Sequence, residues 1–232
     1  MKEAIKIDRR RNYFLCIDTE TVPVDKDYEG VDPYNMWVYD VGLAVIDKHG
    51  NVYETFSFVN ADIFIDEPEL MAQAYFVEKI PMYVSQIADK KRTLARFSTI
   101  RFALHKDCKD FDVVAIVAHN ARFDYLACQT TQRYLTKSKY RWFFPYGVEI
   151  FDSLKMARQT FAKNEEYKKF CIENGYLVNN RPRLTAEILY RFISGNNDFV
   201  EEHCGLEDTE IEKIIFWECL KMNSEIDCRL WS

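Results

Sequence analysis

Residues 13–21 read Tyr13-Phe14-Leu15-Cys16-Ile17-Asp18-Thr19-Glu20-Thr21, an apolar run that stops at two carboxylates separated by one residue. The aromatic and β-branched residues of this run are typical of a β-strand. Side chains alternate between the two faces of an extended chain, so Asp18 and Glu20 point the same way from the strand end. Two unit charges about 4 Å apart repel by about 4 kcal/mol at an effective dielectric of about 20. Such a pair therefore either raises the pKa of one of its carboxyl groups or binds a cation.

This acidic pair has two interpretations. Carboxylate oxygens are the ligands that hard divalent ions such as magnesium prefer, which favours a metal site. The pair also fits an ordinary strand end or helix cap, because Asp-Thr-Glu-Thr lies just before Pro23. A metal site requires further acidic ligands elsewhere in the chain.

The composition is typical of a globular protein with a sizeable core. The chain has 232 residues, of which 48% are hydrophobic and 15% aromatic, and these values predict one domain over residues 1–232. Residues 1–12 are polar and charged, and no apolar run is long enough to cross a bilayer, so we expect a soluble, cytoplasmic protein. The seven cysteines include no C-x-x-C pair, which indicates reduced, structural cysteines and no zinc site. The net charge of -6 argues against a broadly basic surface that coats nucleic acid, but not against an enzyme that grips a chain end.

The strand-like segments predict an α/β fold with a mixed sheet of five strands flanked by helices. Residues 37–46 and 52–59 lie on either side of a hairpin turn, so with the first strand they predict three antiparallel strands. The apolar residues 111–118 predict a buried parallel strand, and residues 146–154 predict a fifth strand. Residues 67–110 are predicted to be helical, most clearly over 88–109. Further helices are predicted over residues 156–174 and 184–194 and from Leu206 onward, and residues 22–35 are predicted to form a surface loop. The basic side chains of the first helix are predicted to form a solvated face, made of Lys90, Lys91, Arg92, Arg96 and Lys106.

Two further acids lie at the starts of predicted helices. The junction after the fourth strand reads His119-Asn120-Ala121-Arg122-Phe123-Asp124, which places Asp124 in a first helical turn. At about 3.6 residues per turn, Asp208 shares one inward stripe with Ile211, Ile215, Cys219 and Met222. A buried carboxylate without a partner is costly, so Asp208 must be protonated, hydrogen-bonded or metal-bound. The alternative is that Asp208 only complements the helix dipole, together with Glu207, Glu210 and Glu212.

Two other segments have open interpretations. His203, five residues before Asp208, is predicted to lie on a mobile loop because Gly205 separates the two. It is either a structural or solvated histidine, or a general base, since its unperturbed pKa lies near neutrality. Residues 133–144 interleave basic and aromatic side chains, which either stack the bases of a single strand or lead from a helix end into a core strand.

Three segments, in this order, resemble the three exonuclease motifs of the DEDDh family, the DnaQ-like 3′-to-5′ exonucleases. They are Asp18-Thr19-Glu20, His119 to Asp124, and His203 to Asp208, and the resemblance extends from Asp18 to about Lys221. It implies a ribonuclease H-like fold, in which three antiparallel strands are followed by parallel ones with helices on both faces.

The resemblance also implies a site and a reaction. Asp18, Glu20, Asp124 and Asp208 would hold two Mg²⁺ or Mn²⁺ ions, which can clamp the attacking and leaving oxygens of an in-line phosphoryl displacement. His203 would accept the proton of the attacking water, and nucleoside 5′-monophosphates would leave from single-stranded or frayed 3′ ends. The terminal nucleotide would be bound by four residues, Thr19, Thr21, Asn120 and Phe123.

The chain departs from the family pattern at Gly205, where alanine is common, and this glycine is expected to loosen the His203 loop. DNA is the expected substrate, with an exoribonuclease as the alternative because the metal site does not read the sugar. A non-catalytic module that keeps the fold and binds nucleic-acid ends or another protein is the competing class. The expected partners are single-stranded 3′ ends and, for a proofreading-type subunit, a polymerase or another replication or repair protein. No membrane is expected as a partner, and the motifs do not define a role for residues 60–110.

Overall fold

The computed structural model describes residues 8, 11–25 and 32–231. Within them the strands are β1 (Tyr13–Pro23), β2 (Met36–Asp47), β3 (Val52–Asn60), β4 (Thr93–Ala95), β5 (Val113–Ala118), β6 (Glu149–Asp152), β7 (Leu177–Val178) and β8 (Arg181–Pro182). The helices are α1 (Ala61–Phe64), α2 (Pro68–Met71), α3 (Ile80–Ala88), α4 (Phe97–Asp110), α5 (Arg122–Thr136), α6 (Ser153–Gln159), α7 (Glu165–Glu173), α8 (Ala186–Ser194) and α9 (Gly205–Met222).

The main sheet has the order β4-β3-β2-β1-β5-β6. Strands β1, β2 and β3 pair antiparallel, and β5 and β6 run parallel to β1, so the predicted mixed α/β arrangement is confirmed. The described sheet has six strands instead of the predicted five, because the three-residue β4 pairs parallel with β3. Three residues are too few to show the alternation of apolar and polar side chains that identifies a strand. β4 also lies inside the segment that was predicted to be helical.

Two predicted helices are interrupted for local reasons. The helix predicted over 88–109 begins only at Phe97, because residues 93–95 pair with β3 and Arg96 is extended. The helix predicted over 156–174 is divided at Thr160, and Asn164 starts α7 by accepting a hydrogen bond from the Tyr167 N–H at 2.9 Å. The predicted loop 22–35 lies in part outside the described residues, and its first two residues extend β1.

The alternation of side chains along β1 divides the core between the two faces of the sheet. Tyr13, Leu15 and Ile17 pack in the cluster that contains the buried residues of α4 and α5. Phe14 and Cys16 pack in the cluster that contains those of α6, α8 and α9. All seven cysteines are buried and free. Helices therefore cover both faces of the strand that carries Asp18 and Glu20.

The described helices were compared with the length and hydropathy of a membrane-spanning helix. In the part of the chain that the structure describes, none combines the length and the apolar character that a bilayer span requires.

Candidate active site

The sheet places Asp18 and Glu20 beside the residues that follow β5, because they lie just beyond residues 13–16 of β1, which pair parallel with β5. The strand does not stop at these acids as the sequence predicts, since β1 continues to Pro23 by pairing with β2. The two acids share the strand face of Phe14 and Cys16, which α9 covers. The pairing of β1 with β2 shifts register between Glu20 and Thr21, so a bulge follows the acidic pair directly.

Asp124 reaches this part of the sheet from the first turn of α5. It is buried, and its Oδ1 accepts a hydrogen bond from the Thr19 hydroxyl at 2.8 Å. Thr19 is itself 6% exposed, so in the described structure its hydroxyl orients Asp124. Contact between Thr19 and a nucleotide stays a prediction.

Asp208 reaches the same part of the sheet from the first turn of α9. The carboxylate is buried, and its Oδ2 accepts a hydrogen bond from the Cys204 N–H at 2.9 Å. Ligand atoms of Glu20, His203 and Asp208 all lie within 4.8 Å of one another. The predicted inward stripe of α9 is buried at Ile211, Ile215 and Cys219, whereas Met222 at the helix end is 42% exposed.

Burial and mutual repulsion raise the pKa of every acid in this group. Burial, followed by the charges of Glu212, Asp124, Glu20 and Asp208, raises the pKa of Asp18 well above its usual value. Burial and then Asp208 raise the pKa of Glu20 to about 9, and burial and then Glu201 raise that of Asp208 to about 8. Burial also raises the pKa of Asp124 to about 7, against the opposing hydrogen bond from Thr19. Burial is thus the largest cause for each of these acids, and neighbouring acids add to it, unlike in a structural ion pair, where a cation lowers the pKa of the acid.

Glu212 is a further buried acid, which the sequence pattern assigned only to the helix dipole. It is 6% exposed, and its Oε2 accepts a hydrogen bond from the His119 N–H at 3.2 Å. Its charge is the main influence on the pKa of Asp18 after burial. Glu212 lies four residues after Asp208, about 40° around the helix, so the inward stripe was the signal that could have identified it.

His203 lies next to Glu20 and Asp208 and is held by residues of the 60–110 region. Its backbone is left-handed, with φ of 49°, and its ring stacks on Phe76 with centroids 4.6 Å apart. Lys79 Nζ donates hydrogen bonds to the carbonyls of Glu202 and His203. Burial, and then Lys79, lower the pKa of His203, which favours the neutral imidazole.

Gly205 serves a close approach between two backbones, which differs from the expected loosening of the loop. A Cβ at Gly205 would lie 2.6 Å from the Gly42 nitrogen, and one at Gly42 would lie 2.0 Å from the Gly205 oxygen. The Gly205 N–H also donates to Asp40 Oδ2 at 2.9 Å. Contact and hydrogen bond together fix the start of α9 against β2.

A buried ionic network holds the same helix start, and we call it the Asp40 network (Asp40, Tyr83, Arg92, Glu207). Asp40 accepts hydrogen bonds from Tyr83 Oη at 2.7 Å and from Arg92 Nη1 at 3.0 Å, and Arg92 Nη2 lies 2.6 Å from Glu207 Oε2. The prediction that Arg92 belongs to a solvated face is therefore wrong, because Arg92 is 3% exposed. Together with Phe76 and Lys79, the network gives the 60–110 region a role in fixing the acidic site.

The remaining predicted site residues border the cluster. Asn120 is left-handed with φ of 68°, and its N–H donates to Asp152 Oδ1 at 3.1 Å. Phe123 is partly buried against the α4 and α5 side of the core, and Thr21 is half-buried after the bulge. In the stretch 133–144, Phe143 and Phe144 are core residues, but they lie in an irregular segment, and the next strand, β6, begins only at Glu149.

Comparisons with known proteins identify similar structures only. No protein-family model and no curated protein sequence matches the chain. The zinc-bound complex of Escherichia coli exonuclease I with single-stranded DNA aligns with a TM-score of 0.53 and 16% identity, over 93% of this chain and 42% of that one. Exonuclease I from Methylocaldum szegediense aligns with a TM-score of 0.53 and 16% identity, over 92% of this chain and 41% of that one.

A third similar structure has a chain closer in length to this one. Pop2p of Schizosaccharomyces pombe, in its Mg²⁺- and Mn²⁺-bound form, aligns with a TM-score of 0.51 and 14% identity, over 94% of this chain and 87% of that one. The chain thus spans less than half of the exonuclease I chains and most of Pop2p. At these identities the likeness concerns the fold, and it confirms the ribonuclease H-like prediction.

Proposed function

We propose that this chain, as one domain over residues 1–232, is a DEDDh-type 3′-to-5′ exonuclease that depends on two Mg²⁺ or Mn²⁺ ions. The observation that carries the proposal is that Glu20, His203 and Asp208 have ligand atoms within 4.8 Å of one another. Asp18 lies near enough for the charges of Asp124, Glu20 and Asp208 to raise its pKa. Buried acids without matching cations are unfavourable in a structural core, so their juxtaposition is best explained by a bound ligand of positive charge.

The donor set fits hard divalent cations. Its atoms are carboxylate oxygens, which are the ligands that Mg²⁺ and Mn²⁺ prefer. Burial and neighbouring acids raise the pKa values of Glu20 and Asp208, which means that their negative charges are unfavourable without a cation. When bound there, the ions would polarise the scissile phosphate and lower the pKa of the attacking water.

The protein's own residues supply the rest of the proposed chemistry. His203 would accept the proton of the water at the ring nitrogen that lies within 4.8 Å of ligand atoms of Glu20 and Asp208. Phe76 and Lys79 keep this loop in place, and Thr19 keeps Asp124 in place. Asn120 and Phe123, with Thr21, would surround the terminal nucleotide.

A single-stranded DNA substrate is our preferred form of the proposal. It is supported by the motif resemblance and by the fold shared with exonuclease I, which was solved with single-stranded DNA. An RNA substrate differs only in the 2′-hydroxyl, so matched strands of both sugars belong in the test.

The test is a digestion of single strands labelled at the 5′ or the 3′ end, with Mg²⁺, with Mn²⁺ and with chelator. We expect the 5′-labelled strand to shorten stepwise and the 3′ label to leave at once as a nucleoside 5′-monophosphate. Cleavage that persists in chelator, or its absence with both metals, would refute the two-metal proposal.

A further inference from the structure

A cavity of about 830 Å³ adjoins the acidic cluster and is lined in part by basic side chains. Two of its lining residues, His119 and Glu212, are joined by the hydrogen bond from His119 N–H. Three others are exposed arginines that we call the arginine wall (Arg158, Arg181, Arg183). The lining therefore combines two acids, Glu201 and the buried Glu212, with three arginines.

The arginine wall is built on a fixed backbone. Arg158 lies on α6, and Arg181 and Arg183 lie on and just after β8. The Arg183 N–H donates to the Tyr176 carbonyl at 2.9 Å, and the Arg183 carbonyl accepts from the Tyr167 hydroxyl. His119 Nε2 lies 2.7 Å from the Leu184 carbonyl, which ties this segment to the end of β5.

The guanidinium groups of the wall are exposed and available for a ligand. Within the described residues, none of the three forms an ion pair or a side-chain hydrogen bond. Two arginines elsewhere in the chain are paired with acids, Arg92 with Asp40 and Arg96 with Asp62. Three such guanidinium groups around one cavity indicate a site for a ligand with several negative charges, and guanidinium forks match phosphate oxygens well.

The positions of the phosphates in a nucleic-acid strand determine which part of the strand can bind the arginine wall. On the 3′ side of the scissile phosphate a terminal nucleotide has only a sugar, a base and a hydroxyl group, so it offers the arginines no anion. The next phosphates lie on the 5′ side of the scissile bond. We propose that the arginine wall binds these internal phosphates of the single strand and guides it into the acidic cluster, an inference that rests on the proposed function.

The first experiment measures binding, which does not require cleavage. Fluorescence anisotropy of a labelled oligothymidylate in chelator compares the wild type with the Arg158→Ala/Arg181→Ala/Arg183→Ala variant. We expect at least about tenfold weaker binding, and a salt dependence of log affinity that is shallower by about 0.7 for each phosphate that the variant no longer binds. Arg181→Ala alone is matched with Arg141→Ala, an exposed arginine outside this cavity, which should bind as the wild type does.

The second experiment separates the upstream strand from the terminal nucleotide. Thymidine 5′-monophosphate p-nitrophenyl ester has one phosphodiester and no upstream phosphate, so the triple variant should hydrolyse it at the wild-type rate. On the oligothymidylate the same variant should show a raised KM. Equal losses on both substrates would place the terminal nucleotide in the cavity and overturn the proposal.

The remaining outcomes are also decisive. Unchanged binding by the triple variant, or an equal loss with Arg141→Ala, would overturn the proposal. A wild type that binds the strand through the wall but cleaves neither substrate would refute the exonuclease and leave the phosphate path standing.

Discussion

Two groups of buried acids meet at the start of α9, and they differ in what neutralises them. In the Asp40 network, burial raises the pKa of Asp40 while Arg92, Tyr83 and the Gly205 N–H lower it. In the acidic cluster of Asp18, Glu20, Asp124, Asp208 and Glu212, the main neighbours of Asp18 and Glu212 are other acids. Among the described residues, the first group thus has a buried guanidinium counter-charge, whereas in the second the charge of Lys79 lowers the pKa of Glu20 and Asp208 but does not offset burial and the neighbouring acids. Internal ion pairs therefore fix the start of α9, whereas the acidic cluster is the part of the site for which we propose bound cations.

The largest expected effect follows from removing one ligand of the cluster. Asp18→Asn should lower metal-dependent cleavage more than about a thousandfold, because several kcal/mol of transition-state stabilisation by the ions would disappear. Without metal, the same variant should melt at or above the wild-type temperature, since a repelling charge is removed. Digestion rates and thermal melting in chelator measure both effects, and a fully active Asp18→Asn would mean that the site lies elsewhere.

In the Asp40 network, removing a charged side chain should destabilise the fold. Arg92→Met leaves Asp40 buried without its counter-charge and should lower the free energy of unfolding by about 3–5 kcal/mol. The control is Arg96→Met, whose side chain is 56% exposed and pairs with Asp62 and Asp66, and it should cost at most about 1 kcal/mol. Denaturant titration measures both variants, and equal losses would remove the contrast between the two groups.

The proposed base should affect the rate and leave metal binding unchanged. His203→Ala should slow cleavage about a hundredfold or more, because general base catalysis is removed. In the wild type, the lowered pKa of His203 should keep the rate high down to below about pH 6.5, with a decline at lower pH as the ring gains a proton. A His203→Ala rate profile that keeps this acidic decline would rule out His203 as its origin.

The smallest expected effect is a pH dependence of stability in chelator. The folded pKa values of Glu20 and Asp208, about 9 and about 8, lie above those of an unfolded chain. The folded state therefore binds more protons between about pH 4 and 9, so stability should fall as pH rises through this range. The melting temperature in chelator should be lower at pH 8 than at pH 6, and Mn²⁺ should reduce the difference. A melting temperature that rises between these pH values in chelator would contradict the raised pKa values.

The sequence predicted the features that depend on local pattern. The alternation in β1 and the apolar run of β5 predicted the sheet centre, and the inward stripe of α9 predicted that Asp208 is buried. The features it missed depend on distant contacts, since Arg92 and Asp40 are 52 residues apart and Lys79 and His203 are 124 apart. Glu212 was missed for another reason, because an acid in the second turn of a helix also fits the helix dipole.

The central claim is that the acidic cluster is completed by two divalent cations, and calorimetric titration of Mn²⁺ into the chelator-treated protein tests it most directly. Repetition in buffers of different ionisation enthalpy counts the protons released, because acids with raised pKa values must lose their protons to bind metal. We expect two ions for each chain, with net proton release at neutral pH, and greatly weakened binding in Asp18→Asn. Absence of Mn²⁺ binding, or binding that Asp18→Asn leaves unchanged, would contradict the claim.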